Sequence, residues 1–202
     1  MRTIPSREEF LKGCNAYEEH EKRDSMYKVS TFLVSHFWGK FNEMADGLGV
    51  LLLTWNQAFY RYGIFNFDNL EHCIHNNFYK LETFRKRIIT DLKVADENDI
   101  KSLFNNFLEA LRVERDGKQK KSPVAVAKAL HILAPNFFPL WDKKIAEVHG
   151  LRFKNPDDEY FAFCKISAYL AQEIKDYVEH PVKPLLRLID EYNYAKFTKN
   201  WI

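Results

Sequence analysis

Residues 122–150 read SPVAVAKALHILAPNFFPLWDKKIAEVHG. Val126, Ala127, Leu130 and Leu133 recur at helical spacing, and Val124 and Ile132 occupy the other side. That pattern predicts a helix apolar nearly all round, the kind a globular protein buries. Ser122 is a good N-cap, and Pro123 suits the first helical position, where a missing N–H costs nothing. The only polar side chains inside this helix are Lys128 and His131, three apart and therefore neighbours. A lysine on such a helix must reach solvent, find a partner or line a cleft. Pro135 and Pro139 stop the helix, while Phe137, Phe138 and Trp141 pack the connection. Asp142 then stands where a second helix, residues 143–148, begins.

The same patterning predicts helices elsewhere. Ser6 and Glu9 form a capping box ahead of a helix carrying Phe10, Leu11, Cys14 and Tyr17. An amphipathic segment spans residues 26–38. Asp46 is read as the cap of a third helix, 47–62, with Gly63 ending it. Two shorter helices are expected after Asp68 and over residues 78–89. Asp96 opens a helix over 97–113 with the stripe Ile100, Phe104, Phe107, Leu108 and Leu111. Residues 115–122, RDGKQKKS, read as a basic loop. Asn155 and Pro156 start a helix reaching residue 177, HPVKP breaks it, and a last helix covers 185–194. With no sustained alternation anywhere, the expected class is all-α, a single two-lobed domain of eight to ten helices.

Composition narrows the functional classes. A hydrophobic share of 46% with 15% aromatics marks a globular chain, and 202 residues suffice for a full core. A net charge of +2 excludes the strong global field of a histone-like binder and leaves room for a local basic patch. Cys14, Cys73 and Cys164 are odd in number and widely spaced, so no disulfide frame is expected. The opening MRTIPSREEF lacks the apolar segment of a signal peptide, and the longest apolar run is too short for a bilayer. A cytoplasmic protein without membrane contact is expected. His72, Cys73 and His75 are too close in sequence to converge on one tetrahedral zinc, and neither a metal nor an organic cofactor is predicted.

Several residues suggest chemistry. Lys128, if desolvated, becomes an amine nucleophile, or else it pairs a carboxylate or snorkels outward. Asp142 is either an electrostatic partner for a developing cation or a plain N-cap. His131 lines the same cleft or is a hydrogen-bonded core residue. Trp55, Asn56 and Gln57 form a polar–aromatic cluster fit to stack on an extruded base, with core packing as the alternative for Trp55. Trp141 stacks on a base or packs beneath the turn. Lys118, Lys120 and Lys121 precede a helix N-terminus and suit a phosphate, or form a solvated loop.

The order of these segments resembles the helix-hairpin-helix DNA glycosylases, the superfamily of endonuclease III and the 8-oxoguanine glycosylases. SPVAVAKAL lies over the family's LPGVGxKTA hairpin, FPLWDKKIAEV over its PVDTH segment, and LLLTWNQAF over its ILSQQT-type helix start. The resemblance spans residues 46–150, with 1–45 and 151–202 packed around that region. Val124 and Val126 stand where the family has hairpin glycines, and Lys128 and Asp142 are fourteen residues apart, about one helical turn fewer than in the family. The resemblance implies base excision from duplex DNA with the damaged nucleotide flipped out. Asp142 would then stabilise the sugar cation, Lys128 would act as Schiff-base nucleophile, and Gln57, Asn56, Trp55, His131, Trp141, Lys118, Lys120 and Lys121 would contact DNA or base. A non-enzymatic nucleic-acid module on the same scaffold, or a protein-interaction domain, are the alternatives.

Overall fold

A computed structural model describes residues 4–179 and 181–202. The chain is mostly helical. Ten α-helices appear among the described residues: α1 (Arg7–His20), α2 (Ser25–His36), α3 (Phe41–Trp55), α4 (Gln57–Tyr60), α5 (Phe67–Arg85), α6 (Glu97–Ala110), α7 (Pro123–Leu133), α8 (Lys143–Val148), α9 (Pro156–Ile174) and α10 (Leu185–Asn193). A π-helical turn, Tyr194–Thr198, continues α10. No described helix is long and apolar enough to cross a membrane.

The buried apolar side chains form one continuous cluster, and α7 runs through it, touching α2, α3 and α6. Residues Ala125, Val126, Ala127, Ala129, Leu130, Ile132 and Leu133 are all fully buried, as an all-round apolar helix requires. Its start is as expected: the Ser122 hydroxyl accepts from the Ala125 amide at 3.2 Å, and Pro123 occupies the first turn. Helix α1 packs against α10, and α9 bridges α10 to α6.

The structure corrects several boundaries. Asp46 lies inside α3 rather than at its cap, because the apolar spacing already begins at Phe41 and Met44. The packing of α3 depends on its glycines. A Cβ on Gly49 would sit 2.1 Å from the Phe67 ring, so only glycine allows the start of α5 to approach. Residues 67–85 form one helix, not two, and the helix after Asp96 ends at Ala110. The Ser6 hydroxyl caps α1, but the Glu9 carboxylate turns away to Lys196 and Tyr192. The long helix ends at Ile174; within the HPVKP break, His180 lies outside the described residues, as do Met1 to Thr3 of the amino-terminal segment.

RDGK is the largest departure. It is the turn of a β-hairpin, β2 (Val113–Arg115) with β3 (Lys118–Lys120), and β1 (Ile64–Phe65) adds a third antiparallel strand. Asp116 and Gly117 both have positive φ, 53° and 65°, the backbone pattern that a two-residue Asp-Gly hairpin turn adopts.

Candidate functional site

The break between α3 and α4 begins the site. Helix α3 ends at Trp55 and leaves carbonyls without intrahelical donors. The Lys128 ammonium, arriving from α7, donates to the Trp55 carbonyl at 3.0 Å and lies 4.5 Å from the centre of the Trp55 ring. Lys128 therefore caps α3, and the negative end of the helix dipole favours its charge.

The connection after α7 brings Asp142 back toward this lysine. The Trp141 indole N–H donates to the Pro123 carbonyl at 3.2 Å, which folds the PLWD segment onto the first turn of α7. The Tyr160 hydroxyl pins the Pro139 carbonyl at 2.9 Å. Asp142 then caps α8, accepting from the Ile145 amide through Oδ1 at 2.7 Å. Its Oδ2 accepts from the Thr198 hydroxyl, also at 2.7 Å.

Lys128 and Asp142 open into one pocket of about 710 Å³. Trp55, Leu140, Trp141, Asp190 and Tyr194 line it with them, and residues 19–26 between α1 and α2 form its rim. The volume falls within the range of small-molecule sites. Glu19, Glu21, Asp24, Asp142 and Asp190 outnumber Lys22, Arg23 and Lys128 on the walls. Such a lining favours a developing positive charge over an anion.

Behind the wall lies a buried ionic network. Arg187, with no exposed surface, donates to Asp190 at 2.7 Å, to Asp24 at 2.8 Å and to the Tyr17 hydroxyl at 2.6 Å. Its guanidinium also lies 4.4 Å from the Tyr27 ring centre and 5.6 Å from that of Trp55. Burial alone would lower the arginine's pKa; the surrounding Asp190, Tyr17, Asp24 and Glu191 more than offset it and raise it.

The network also tunes the pocket. Burial lowers the Lys128 pKa from 10.5 to about 8, with Asp190 and Asp142 opposing the fall and Arg187 adding to it. Burial raises the Asp190 pKa to about 6, while Arg187 and Lys128 pull it down and Glu191 and Asp142 push it up. An amine and a carboxyl group that both titrate near neutrality thus face one pocket.

Of the residues expected at the site, Lys128, Asp142, Trp55 and Trp141 line the pocket together. Trp141 is only 1% exposed and packs among Phe104, Phe153, Tyr160 and Phe163 beneath the turn. His131 is a core residue. It is fully buried, its Nδ1–H donates to the Phe138 carbonyl at 2.8 Å, and its Nε2 accepts from the Tyr27 hydroxyl at 3.2 Å. Burial pushes its pKa down to about 3, so the ring is neutral. Asn56 and Gln57 are outside the pocket lining; Asn56 donates to the Ser122 hydroxyl at 3.4 Å, and Gln57 is exposed on α4. Lys118 and Lys120 are exposed on β3, and Lys121 pairs with Glu109, so none of the three reaches the pocket wall.

Sequence reasoning missed Asp190, Arg187, Asp24 and Tyr17. The available signal was the spacing of Arg187, Asp190 and Glu191, three and four apart on α10, which sets three charges on one helix face. That face is the buried one. Among the described residues no three His, Cys, Asp or Glu side chains converge as a metal site. Comparison with protein-family models, with curated proteins and with solved structures finds no match to this chain.

Proposed function

We propose that this chain cleaves N-glycosidic bonds of a base-bearing nucleotide in DNA, with the flipped nucleotide entering the pocket of Lys128 and Asp142. The observation that carries this reading is the opening of both groups into one 710 Å³ hollow with an indole wall. The partly desolvated amine supports it further. With its pKa lowered by burial to about 8, Lys128 gives up its proton more readily than an ordinary lysine, as attack on a sugar C1′ requires. In that step the amine forms a bond to C1′, the C1′–N bond breaks, and the base leaves with the electron pair. Loss of a proton from the new C1′ amine and opening of the sugar ring then give an imine. The Asp142 carboxylate stabilises the positive charge that develops on the sugar.

Borohydride trapping on duplex DNA bearing a panel of modified bases tests this, with glycosidic cleavage assayed alongside. A covalent adduct with wild type and none with Lys128→Gln is the expected result. An adduct that survives Lys128→Gln removes that lysine from the chemistry. Absence of both adduct and cleavage across the panel removes the enzymatic reading.

The second reading is a binding module without catalysis. One observation favours it: both Asp142 oxygens and the Lys128 amine already serve the fold, as caps of α8 and α3 and through Thr198. A nucleic acid held through the exposed Lys118 and Lys120, with the pocket idle, would leave trapping and cleavage at background while binding persists.

A further inference from the structure

We propose that Asp190 is the proton carrier of this pocket: it takes the proton from the Lys128 ammonium and gives it to the departing base. This rests on the N-glycosidase reading and adds a residue to it. Asp190 is 8% exposed, yet it lines the pocket with Lys128 and Asp142; among the described residues it forms no ion pair with Lys128, whose amine donates to the Trp55 carbonyl, so the proton passes across the pocket. Its Oδ2 is fixed by the Arg187 guanidinium at 2.7 Å, and among the described residues its Oδ1 makes no hydrogen bond. One oxygen is thus anchored and the other is left to the pocket. Asp142 is differently placed, since both of its oxygens are occupied by Ile145 and Thr198. Of the two carboxylates, Asp190 alone has an oxygen with no hydrogen-bond donor among the described residues, the readier one to accept and release a proton.

Every charged or titratable group around Asp190 bears on this role. On its own helix are Arg187, which favours ionisation, and Glu191, which opposes it. From α7 comes Lys128, and from the start of α8 Asp142, acting in opposite senses. Tyr17 of α1 and Asp24 before α2 share the same guanidinium, and Tyr27 of α2 lies beneath it. The sum leaves Asp190 near 6 and Lys128 near 8, so between these values the pair holds one proton.

The proton balance is closed. A Lys128 ammonium and an Asp190 carboxylate become an amine and a carboxylic acid. The amine bonds to C1′, the base leaves with the bonding pair, and the acid protonates its nitrogen. Asp190 ends ionised, and Lys128 ends as the C1′ adduct. Only the one-proton pair can begin this sequence, so the single-turnover rate is bell-shaped, with limbs near pH 6 and pH 8.

Two measurements test the inference. In wild-type protein labelled with ¹³C-aspartate and ¹⁵N-lysine, the Asp190 carboxyl carbon and the Lys128 amine are titrated by NMR. Each is expected to show a main inflection and a smaller step at the other's pH. Independent titration of the two groups overturns the proposal, and no substitution is needed to read it. In Asp190→Asn, the cleavage rate is expected to fall at least about 100-fold, with the acid limb of the bell lost. An acid limb that persists in this variant also overturns it. Wild type that cleaves no N-glycoside sinks the glycosidase reading and with it the transfer to a base, whereas cleavage with independent titration sinks the proton carrier alone.

Discussion

Lys128 donates to the carbonyl of Trp55 and lies against the indole of the same residue. One side chain therefore closes the end of α3 and supplies the pocket's only lysine apart from Lys22 on the rim. Lys128→Met keeps the stem and removes the amine. Because burial holds the amine near 8 in the fold against an ordinary 10.5, the unfolded chain binds more protons between those values. Wild-type stability therefore gains from this group as pH rises from about 8 to 10.5, by up to about 3 kcal/mol. Urea midpoints of wild type and Lys128→Met, compared from pH 7 to 10, should diverge in that sense. Parallel curves would mean that the amine is not desolvated.

Asp142 separates its two jobs under substitution. Asparagine caps a helix about as well as aspartate, whereas alanine does not. Asp142→Asn should lie within about 0.5 kcal/mol of wild type, and Asp142→Ala should lose about 1 kcal/mol or somewhat more. Cleavage should fall in both. Equal activity in wild type and Asp142→Asn would show that the carboxylate charge is not used.

Arg187 should be the costliest charged residue to remove. Arg187→Met leaves the buried Asp190 carboxylate without its cation and Glu191 with Lys183 alone, a change worth about 3–5 kcal/mol. Guanidinium denaturation reads the loss directly. A variant within 1 kcal/mol of wild type would mean that the network adds little to stability.

The hairpin and the α3–α5 contact make backbone predictions. Gly117→Ala places a side chain at φ +65° and should cost about 1 kcal/mol, with open space around it. Gly49→Ala meets the Phe67 ring and should cost about 1–3 kcal/mol by overpacking. Thermal melts that rank the two in the reverse order would contradict the packing described for α3.

Salt dependence tests the basic hairpin. If Lys118 and Lys120 contact phosphates, each substitution by alanine should reduce the slope of log affinity against log salt by about 1. Lys121→Ala, already paired with Glu109, should change it less. Slopes unchanged from wild type in all three variants would remove the hairpin from any DNA surface.

What the sequence made legible follows the strength of the local signal. The start of helix α7 was readable to the residue, since Ser122, Pro123 and an apolar run all agree. The expectation that Lys128 and Asp142 share a cleft came from the family resemblance; the structure lines one pocket with both. The hairpin was not readable from periodicity, because strands of two or three residues leave no alternation to detect. The Asp-Gly pair was its one local mark. Helix α5 was expected as two pieces, yet Asn77 is buried within it, donating to the Cys73 carbonyl one turn back and accepting from Asn106 of α6, a contact that only the tertiary fold supplies. Asp190 was hidden for the same reason: a charge on α10 reads as solvent-facing until Arg187 is seen beside it.

Thr198, which holds Asp142 from the π-helical turn, has a consequence for biosynthesis. The amine and its opposing carboxylate leave the ribosome long before residues 187–198. Until that stretch docks, the hollow lacks one wall, its arginine and its second acid. A nascent chain therefore has no complete pocket until residues 187–198 have emerged and folded back onto it.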